Sequence, residues 1–175
     1  MGERPLSHLS TTIHVESSPE AIFDLIADPS RAPEWQTLFV AMGAISGRSG
    51  GVGSSYSGFY RVAGRRIEAR FVVTAAERPR IHQAAGTARG GWVRWTTFID
   101  PAGSGAEVRV TIEYELPGEI VRSVLGALTG TRLQRAFHRT YLNLKRVAEA
   151  EAASRGTSVA HVAGGPQSAA RIGAE

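Results

Sequence analysis

The segment from Pro117 to Ala150 constrains this chain most, because it has the pattern of a long amphipathic helix that follows a series of strands. Pro117 and Gly118 are typical of a break between a strand and a helix. An apolar set then recurs at helical spacing: Leu133, Phe137, Tyr141, Leu144 and Ala148. A helix with such a face needs a large apolar surface to lie on. The strands before it must provide that surface.

The same segment carries an earlier apolar set and a separate basic face. The earlier set comprises Val121, Val124, Leu125 and Leu128. Gly126 and Gly130 lie between the two apolar sets, so we expect a kink or a loosened turn there. The basic face comprises Arg132, Arg135, Arg139 and Arg146. It predicts either a weak contact with an anionic membrane or a solvated outer face, and without interleaved aromatic residues we expect no nucleic-acid partner.

Upstream of this helix, the sequence alternates as β-strands do. Residues 10–16 place Ile13 and Val15 on one side and Thr12 and His14 on the other, which predicts a half-buried strand. Six more strands are predicted at residues 37–46, 54–62, 65–76, 81–87, 92–100 and 106–116. The alternation predicts a sheet with one dry face and one wet face.

Two short helices are predicted between the first and second strands. Ser18 before Pro19 has the pattern of an N-cap with proline at the first helical position, while Ser17 and Glu20 have the spacing of a capping box. The first helix extends from Pro19 to about Ala27, with its apolar residues turned inward: Ile22, Phe23, Leu25 and Ile26. The second helix covers residues 29–35.

Composition and length predict one globular domain with a substantial core. The chain has 175 residues, of which 42% are hydrophobic and 21% charged. Its net charge of +4 comes almost entirely from arginine, which fits either an anionic partner or a general bias in composition. We expect a flexible leader at 1–9, the domain at 10–150 and a disordered Ala/Gly-rich tail at 151–175. With no apolar segment of membrane-spanning length and no signal-peptide pattern, a cytoplasmic location is expected.

The order of these elements resembles the SRPBCC or START-like superfamily, in particular its polyketide cyclase/dehydrase and lipid-transport group. Three stretches carry the resemblance: residues 12–28 with Pro33-Glu34-Trp35, the Gly51-Val52-Gly53 turn, and residues 110–117 before the helix. The similarity covers about Ser10 to Ala150. It implies an α+β helix-grip fold, in which a curved antiparallel sheet of about seven strands wraps around the long C-terminal helix.

The resemblance also implies a mostly apolar cavity between the sheet and the C-terminal helix. A sheet bent around a helix leaves space that side chains do not fill, and such a space binds ligands when polar groups converge in it. The expected function is to bind a small apolar ligand (lipid-like, aromatic or polyketide-like) as a carrier or sequestering protein. The alternative is an enzyme of the polyketide cyclase/dehydratase type that uses the same cavity.

Several large side chains are expected on the dry face, where they would either line the cavity or fill the core. Strand alternation and the helical repeat select most of them, and the second short helix adds a tryptophan. The candidates for ligand contact are Trp35, Tyr56, Tyr60, Phe71, Trp95, Tyr114, Leu128, Phe137 and Tyr141. A buried tyrosine hydroxyl or indole N–H needs a partner, and either a ligand or a backbone carbonyl can supply one.

No catalytic residue can be assigned from the sequence. The acid–base candidates fall on the wet side of their strands, where salt pairs are the alternative interpretation: Glu68, Arg70, Arg94 and Glu113. His14 should be exposed, and His82 and His138 have no neighbouring ligands at metal-binding spacing, so no metal is expected. Residues 47–53 are rich in glycine but do not match a dinucleotide or phosphate loop, so no cofactor is expected either.

Overall fold

The computed structural model describes residues 7–62, 64–88, 90–115 and 130–163. Within these residues, seven strands and three helical regions follow one another in the order predicted from the sequence, and the predicted second helix is divided into a 3-10 turn and a four-residue α-helix. The first four elements are β1 (Ser7–Val15), α1 (Pro19–Ala27), a 3-10 turn (Pro29–Arg31) and α2 (Ala32–Trp35). The remaining elements are β2 (Phe39–Ser46), β3 (Ser55–Val62), β4 (Arg65–Glu77), β5 (Ile81–Ala88), β6 (Gly91–Ala102), β7 (Gly105–Glu115) and α3 (Gly130–Ala163).

The strands form a single antiparallel sheet in the order β1-β7-β6-β5-β4-β3-β2. Strands β2 to β7 pair as consecutive neighbours, and β1 joins the free side of β7. The predicted alternation of strand β1 is confirmed, since Ile13 and Val15 are buried while Thr12 and His14 are exposed. One face of the sheet therefore carries the core and the other faces water.

Helix α1 begins at the predicted N-cap. The Ser18 hydroxyl accepts a hydrogen bond from the Ala21 amide, and Pro19 occupies the first turn. The four predicted apolar residues of α1 are all buried. The capping box expected from Ser17 does not form. The Ser17 hydroxyl is buried with no hydrogen-bond partner among the described residues, because the helix begins one residue later than that box requires.

Two of the predicted domain limits differ from the structure. Strand β1 starts at Ser7, so residues 7–9 belong to the sheet and not to a leader. Helix α3 continues past Ala150 to Ala163, although the sequence predicts a disordered tail from residue 151. Residues 151–163 contain several good helix formers and no proline, which allows the helix to extend beyond its packed face. The predicted early apolar set at 121–128 and the predicted tail from 164 onward lie outside the described residues.

Polar side chains of α3 fix the helix along β1, which is an edge strand. The Gln134 amide and the Lys145 ammonium donate to the carbonyls of Ser10 and His14, both at 2.6 Å. A Glu149 carboxylate oxygen accepts from the Glu16 amide at 2.8 Å. These contacts satisfy backbone groups that an edge strand leaves without a neighbour, so the helix both covers the sheet and closes its edge.

The buried apolar residues form two clusters. The larger one joins α1, α2, α3 and strands β1, β6 and β7, and it contains Trp35, Phe137 and Tyr141. The smaller one lies on strands β3 and β4 and contains Tyr56 and Phe71, with Tyr60, Val93 and Trp95 packed against it. The half-buried Ala76 of β4 packs against both clusters and joins them across the inner face of the sheet.

Candidate functional site

A cavity of about 200 Å³ lies where the two clusters meet, between the sheet and helix α3. Its walls come from β1, α2, the α2–β2 connection, β3, β6, β7 and α3. The lining residues are Leu9, Trp35, Gln36, Leu38, Tyr60, Val93, Trp95, Ile112, Ala136, Phe137, Thr140 and Tyr141. The lining is mostly apolar and aromatic, as in pockets that bind small molecules.

One wall of the cavity consists of three aromatic rings on α2 and α3. The Tyr141 ring lies 5.7 Å from the Trp35 ring and 5.0 Å from the Phe137 ring, measured between centroids. Phe137 and Tyr141 are four residues apart on α3, so they lie on one face of the helix. Trp35 ends α2 and is 4% exposed. The rings pack against one another, and this packing fixes the shape of the wall.

The opposite wall is built from alternating residues of two strands. Tyr60 on β3 and Trp95 on β6 both contact the Phe71 ring, at centroid distances of 6.1 and 4.8 Å. Phe39 on β2 packs edge to face against Tyr60 at 5.5 Å. Phe71 thus supports both lining residues from β4, which lies between their strands in the sheet.

Two polar atoms of the lining residues are buried and have no hydrogen-bond partner within the described ranges. They are the Tyr60 hydroxyl and Nε1 of Trp35. Burial raises the pKa of the Tyr60 hydroxyl, so this group stays protonated and neutral at physiological pH. The Thr140 hydroxyl, by contrast, is engaged with Thr37 at 2.7 Å. Two residues of the lining therefore hold buried donors that the described part of the protein leaves without a partner.

The acid–base candidates from the sequence lie on the outer face of the sheet, as predicted. Arg94 and Glu113 form a salt bridge across β6 and β7 at 2.6 Å. Glu68 and Arg70 are exposed and face an open depression that crosses strands β2 to β6. Water fills such an open surface, so these groups are salt pairs or solvated side chains there.

The three histidines named in the sequence analysis do not contribute to the cavity lining. His14 is exposed, as predicted, and contacts Glu16 at 2.8 Å. Nδ1 of His138 lies 2.7 Å from the Thr11 hydroxyl, outside the cavity. His82 is buried on the inner side of β5 against Phe23, and burial lowers its pKa to about 4. No group of three potential metal ligands occurs among the described residues.

Comparison with known families identifies the chain. The family profile described as "Polyketide cyclase / dehydrase and lipid transport" matches residues 7–149. The protein belongs to this family. The match spans the sheet and most of α3, which are the elements that form the cavity.

Solved structures show the same fold at low sequence identity. A START superfamily protein from Mycobacterium smegmatis has a TM-score of 0.61 at 16% identity, covering 84% of this chain and 97% of that one. A ginseng major latex-like protein from Panax ginseng has a TM-score of 0.62 at 17% identity, with coverage of 84% and 97%. A protein from Chromobacterium violaceum has a TM-score of 0.64 at 14% identity, covering 81% and 97%. No curated protein matches the sequence.

These comparisons confirm the predicted helix-grip fold of the polyketide cyclase/dehydrase and lipid-transport family. Family and fold together indicate a domain that binds hydrophobic ligands. None of the described helices is long and apolar enough to span a membrane. Arg135, Arg139 and Arg146 are exposed on α3, whereas the Arg132 side chain is outside the described set, and their contact with an anionic membrane stays a prediction.

Of the nine residues predicted to contact a ligand, five line the cavity: Trp35, Tyr60, Trp95, Phe137 and Tyr141. Tyr56 and Phe71 are buried in the smaller cluster behind the wall and are not among the lining residues. Tyr114 is half-buried on β7 and pairs with the lining residue Val93, but it is not itself among the lining residues. Leu128 lies outside the described residues. Ligand contact by any of the nine stays a prediction.

The smaller lining residues are not among the contact residues predicted from the sequence. Val93 lies two residues before Trp95 on β6, and Ile112 lies two residues before Tyr114 on β7, so each pair points to the same face of the sheet. Strand alternation alone therefore predicts that Val93 and Ile112 face inward. Leu9 was missed because it was placed in the leader, although it pairs with Ile112 across β1 and β7. Gln36 and Leu38 lie in the connection between α2 and β2, where no periodic pattern marks an inward position.

Proposed function

We propose that this protein binds a small apolar ligand between the sheet and helix α3, as a carrier or sequestering protein. The observation that carries the proposal is the cavity of about 200 Å³ with its aromatic walls. Burying the apolar surface of a ligand contributes about 25 cal/mol per Å² before the costs of association are subtracted. The polar atoms of Tyr60 and Trp35 would orient the ligand.

The enzymatic alternative has less support. A cyclase or dehydratase needs an acid–base pair at its substrate, and no lining residue in the described ranges is ionisable apart from its tyrosines. Glu68, Arg70, Arg94 and Glu113 are on the outer face, and His82 is packed against α1. We therefore propose a binding role without catalysis. A cytoplasmic location stays a prediction.

A substitution that fills the cavity tests this proposal. Ala136 on α3 is half-buried and lines the cavity, so Ala136→Leu should occupy part of its volume. Ala150 on the same helix is exposed, and Ala150→Leu adds the same atoms outside the cavity. 1-Aminonaphthalene, a neutral two-ring dye whose emission shifts in apolar sites, reports binding. We expect Ala136→Leu to weaken dye binding at least tenfold and Ala150→Leu to leave it unchanged.

Native mass spectrometry of the protein purified from its own host provides a second, independent measurement. A co-purifying apolar compound that is absent from the Ala136→Leu variant supports the proposed function. Equal dye affinity in the two variants, together with no added mass on the wild-type protein, would overturn it.

A further inference from the structure

Two residues that line the cavity each carry a buried hydrogen-bond donor without a partner in the described structure. Trp35 is 4% exposed and its Nε1 is buried, and the Tyr60 hydroxyl is buried as well. An indole N–H can only donate a hydrogen bond. The Tyr60 hydroxyl can donate or accept, and because burial raises its pKa it keeps its proton. Neither atom is accessible in the ligand-free protein, so a rotation of its side chain has to bring it to the cavity surface before it meets an acceptor atom of a ligand.

The described surroundings of these donors disfavour a charged ligand group. The lining contains no Asp, Glu, Lys, Arg or His among the described residues. A carboxylate or an ammonium group would lose its hydration on entry and would find no opposite charge, which is costly in an apolar site. A neutral acceptor loses less hydration and recovers a hydrogen bond from either donor.

The shape of the site favours rings of limited size. The rings of Trp35, Trp95, Phe137 and Tyr141 line the cavity, and such faces stack against planar groups. An engineered apolar cavity of about 150 Å³ is known to bind benzene. A cavity of about 200 Å³ is therefore suited to a compound of one or two rings.

We propose that the ligand is a neutral one- or two-ring compound with a carbonyl oxygen, and that Trp35 and Tyr60 supply the hydrogen bonds that select it. This inference rests on the proposed binding function and assigns the chemical class of its ligand. A ligand carbonyl would supply the hydrogen-bond acceptor that both donors lack among the described residues.

Two probes of nearly equal shape isolate the hydrogen bond. 2-Acetylnaphthalene carries a carbonyl where 2-ethylnaphthalene carries a methylene group. Their affinities are measured by calorimetric titration on the wild-type protein, on Trp35→Phe/Tyr60→Phe, and on Trp92→Phe. The double variant keeps aromatic rings at both positions and removes both donors. Trp92 is a matched control because its Nε1 already donates to Glu115 at 3.1 Å on the outer face.

The wild-type protein should bind the ketone about tenfold more tightly than the hydrocarbon, as one to two net hydrogen bonds imply. The double variant should bind both probes alike, at about the wild-type affinity for the hydrocarbon. Trp92→Phe should keep the tenfold preference. 2-Naphthoate, which carries a charge instead, should bind more weakly than the ketone.

The outcomes separate this inference from the proposed function. Equal wild-type affinity for the two probes overturns the assignment of the ligand class but leaves the binding function standing. A preference that persists in the double variant also overturns the roles of Trp35 and Tyr60. If neither probe binds and the neutral dye does not bind either, both proposals are wrong.

Discussion

The buried His82 makes the stability of this protein sensitive to mild acid. The side chain lies between β5 and α1, with its ring 5.9 Å from that of Phe23 and Thr97 opposite it on β6. Neither imidazole nitrogen has a hydrogen-bond partner among the described residues. Burial disfavours the charged ring and lowers the pKa of His82 to about 4. Folding therefore holds this histidine neutral.

The sign and size of the effect follow from this pKa. In the unfolded chain the imidazole has its ordinary pKa of 6.5. Between that pH and about pH 4, His82 is protonated in the unfolded state but stays neutral in the folded state, so the free energy of unfolding decreases as the pH falls. Above about pH 6.5 both states are neutral at His82 and the protein has its full stability, and this stability decreases as the pH falls toward 4. The full loss is about 3 kcal/mol, of which about 2 kcal/mol occurs between pH 7 and pH 5.

Urea unfolding followed by tryptophan fluorescence at pH 7, 6 and 5 measures this loss. The variant His82→Leu has a side chain of similar volume that cannot be protonated. The control His8→Gln removes an exposed histidine from the start of β1. Carboxylates such as Asp24, whose pKa is lowered by its hydrogen bonds with Arg78, also lose stabilisation in acid, but they are identical in all three proteins.

We expect the wild type and His8→Gln to lose about 2 kcal/mol more than His82→Leu between pH 7 and pH 5. At pH 7 the His82→Leu variant should be about as stable as the wild type, because it removes no hydrogen bond among the described contacts. If the three proteins lose stability in parallel, within about 0.5 kcal/mol, the reasoning from burial is wrong.

Two further predictions concern the cavity and the backbone. Tyr60→Phe removes a hydroxyl without a described partner and keeps the ring contacts with Phe39 and Phe71, so we expect the ligand-free protein to be unchanged or up to about 1 kcal/mol more stable. Urea unfolding of protein stripped of bound compounds measures this, and a loss above about 1 kcal/mol would show that the hydroxyl has a structural partner. Gly105→Ala should destabilise by about 1–3 kcal/mol, because an added Cβ would lie 2.0 Å from the carbonyl oxygen of Val15. Gly156→Ala on α3 meets no atom within 4 Å and should stabilise by about 0.5–1 kcal/mol, so the two glycine variants should shift the thermal midpoint in opposite directions.

The sequence alone was sufficient for the order of elements and for the two faces of the sheet. Period-two alternation in β1 and β7 and the four-residue repeat of Phe137 and Tyr141 are local properties of a strand and a helix, so no other part of the chain is needed to interpret them. The N-cap at Ser18 is equally local, because its partner is three residues away.

The tertiary structure decided which inward residues surround empty space. Tyr56 and Tyr60 have the same strand parity, yet Tyr56 is packed against Phe71 while Tyr60 lines the cavity. A cavity is the space left between elements that are distant in sequence, and no local period records it. The same reason applies to the polar contacts of Lys145 and Glu149 with β1, and to the unpartnered donors of Trp35 and Tyr60. Whether a buried polar atom finds a partner depends on every element packed around it, and only the folded chain assembles that environment.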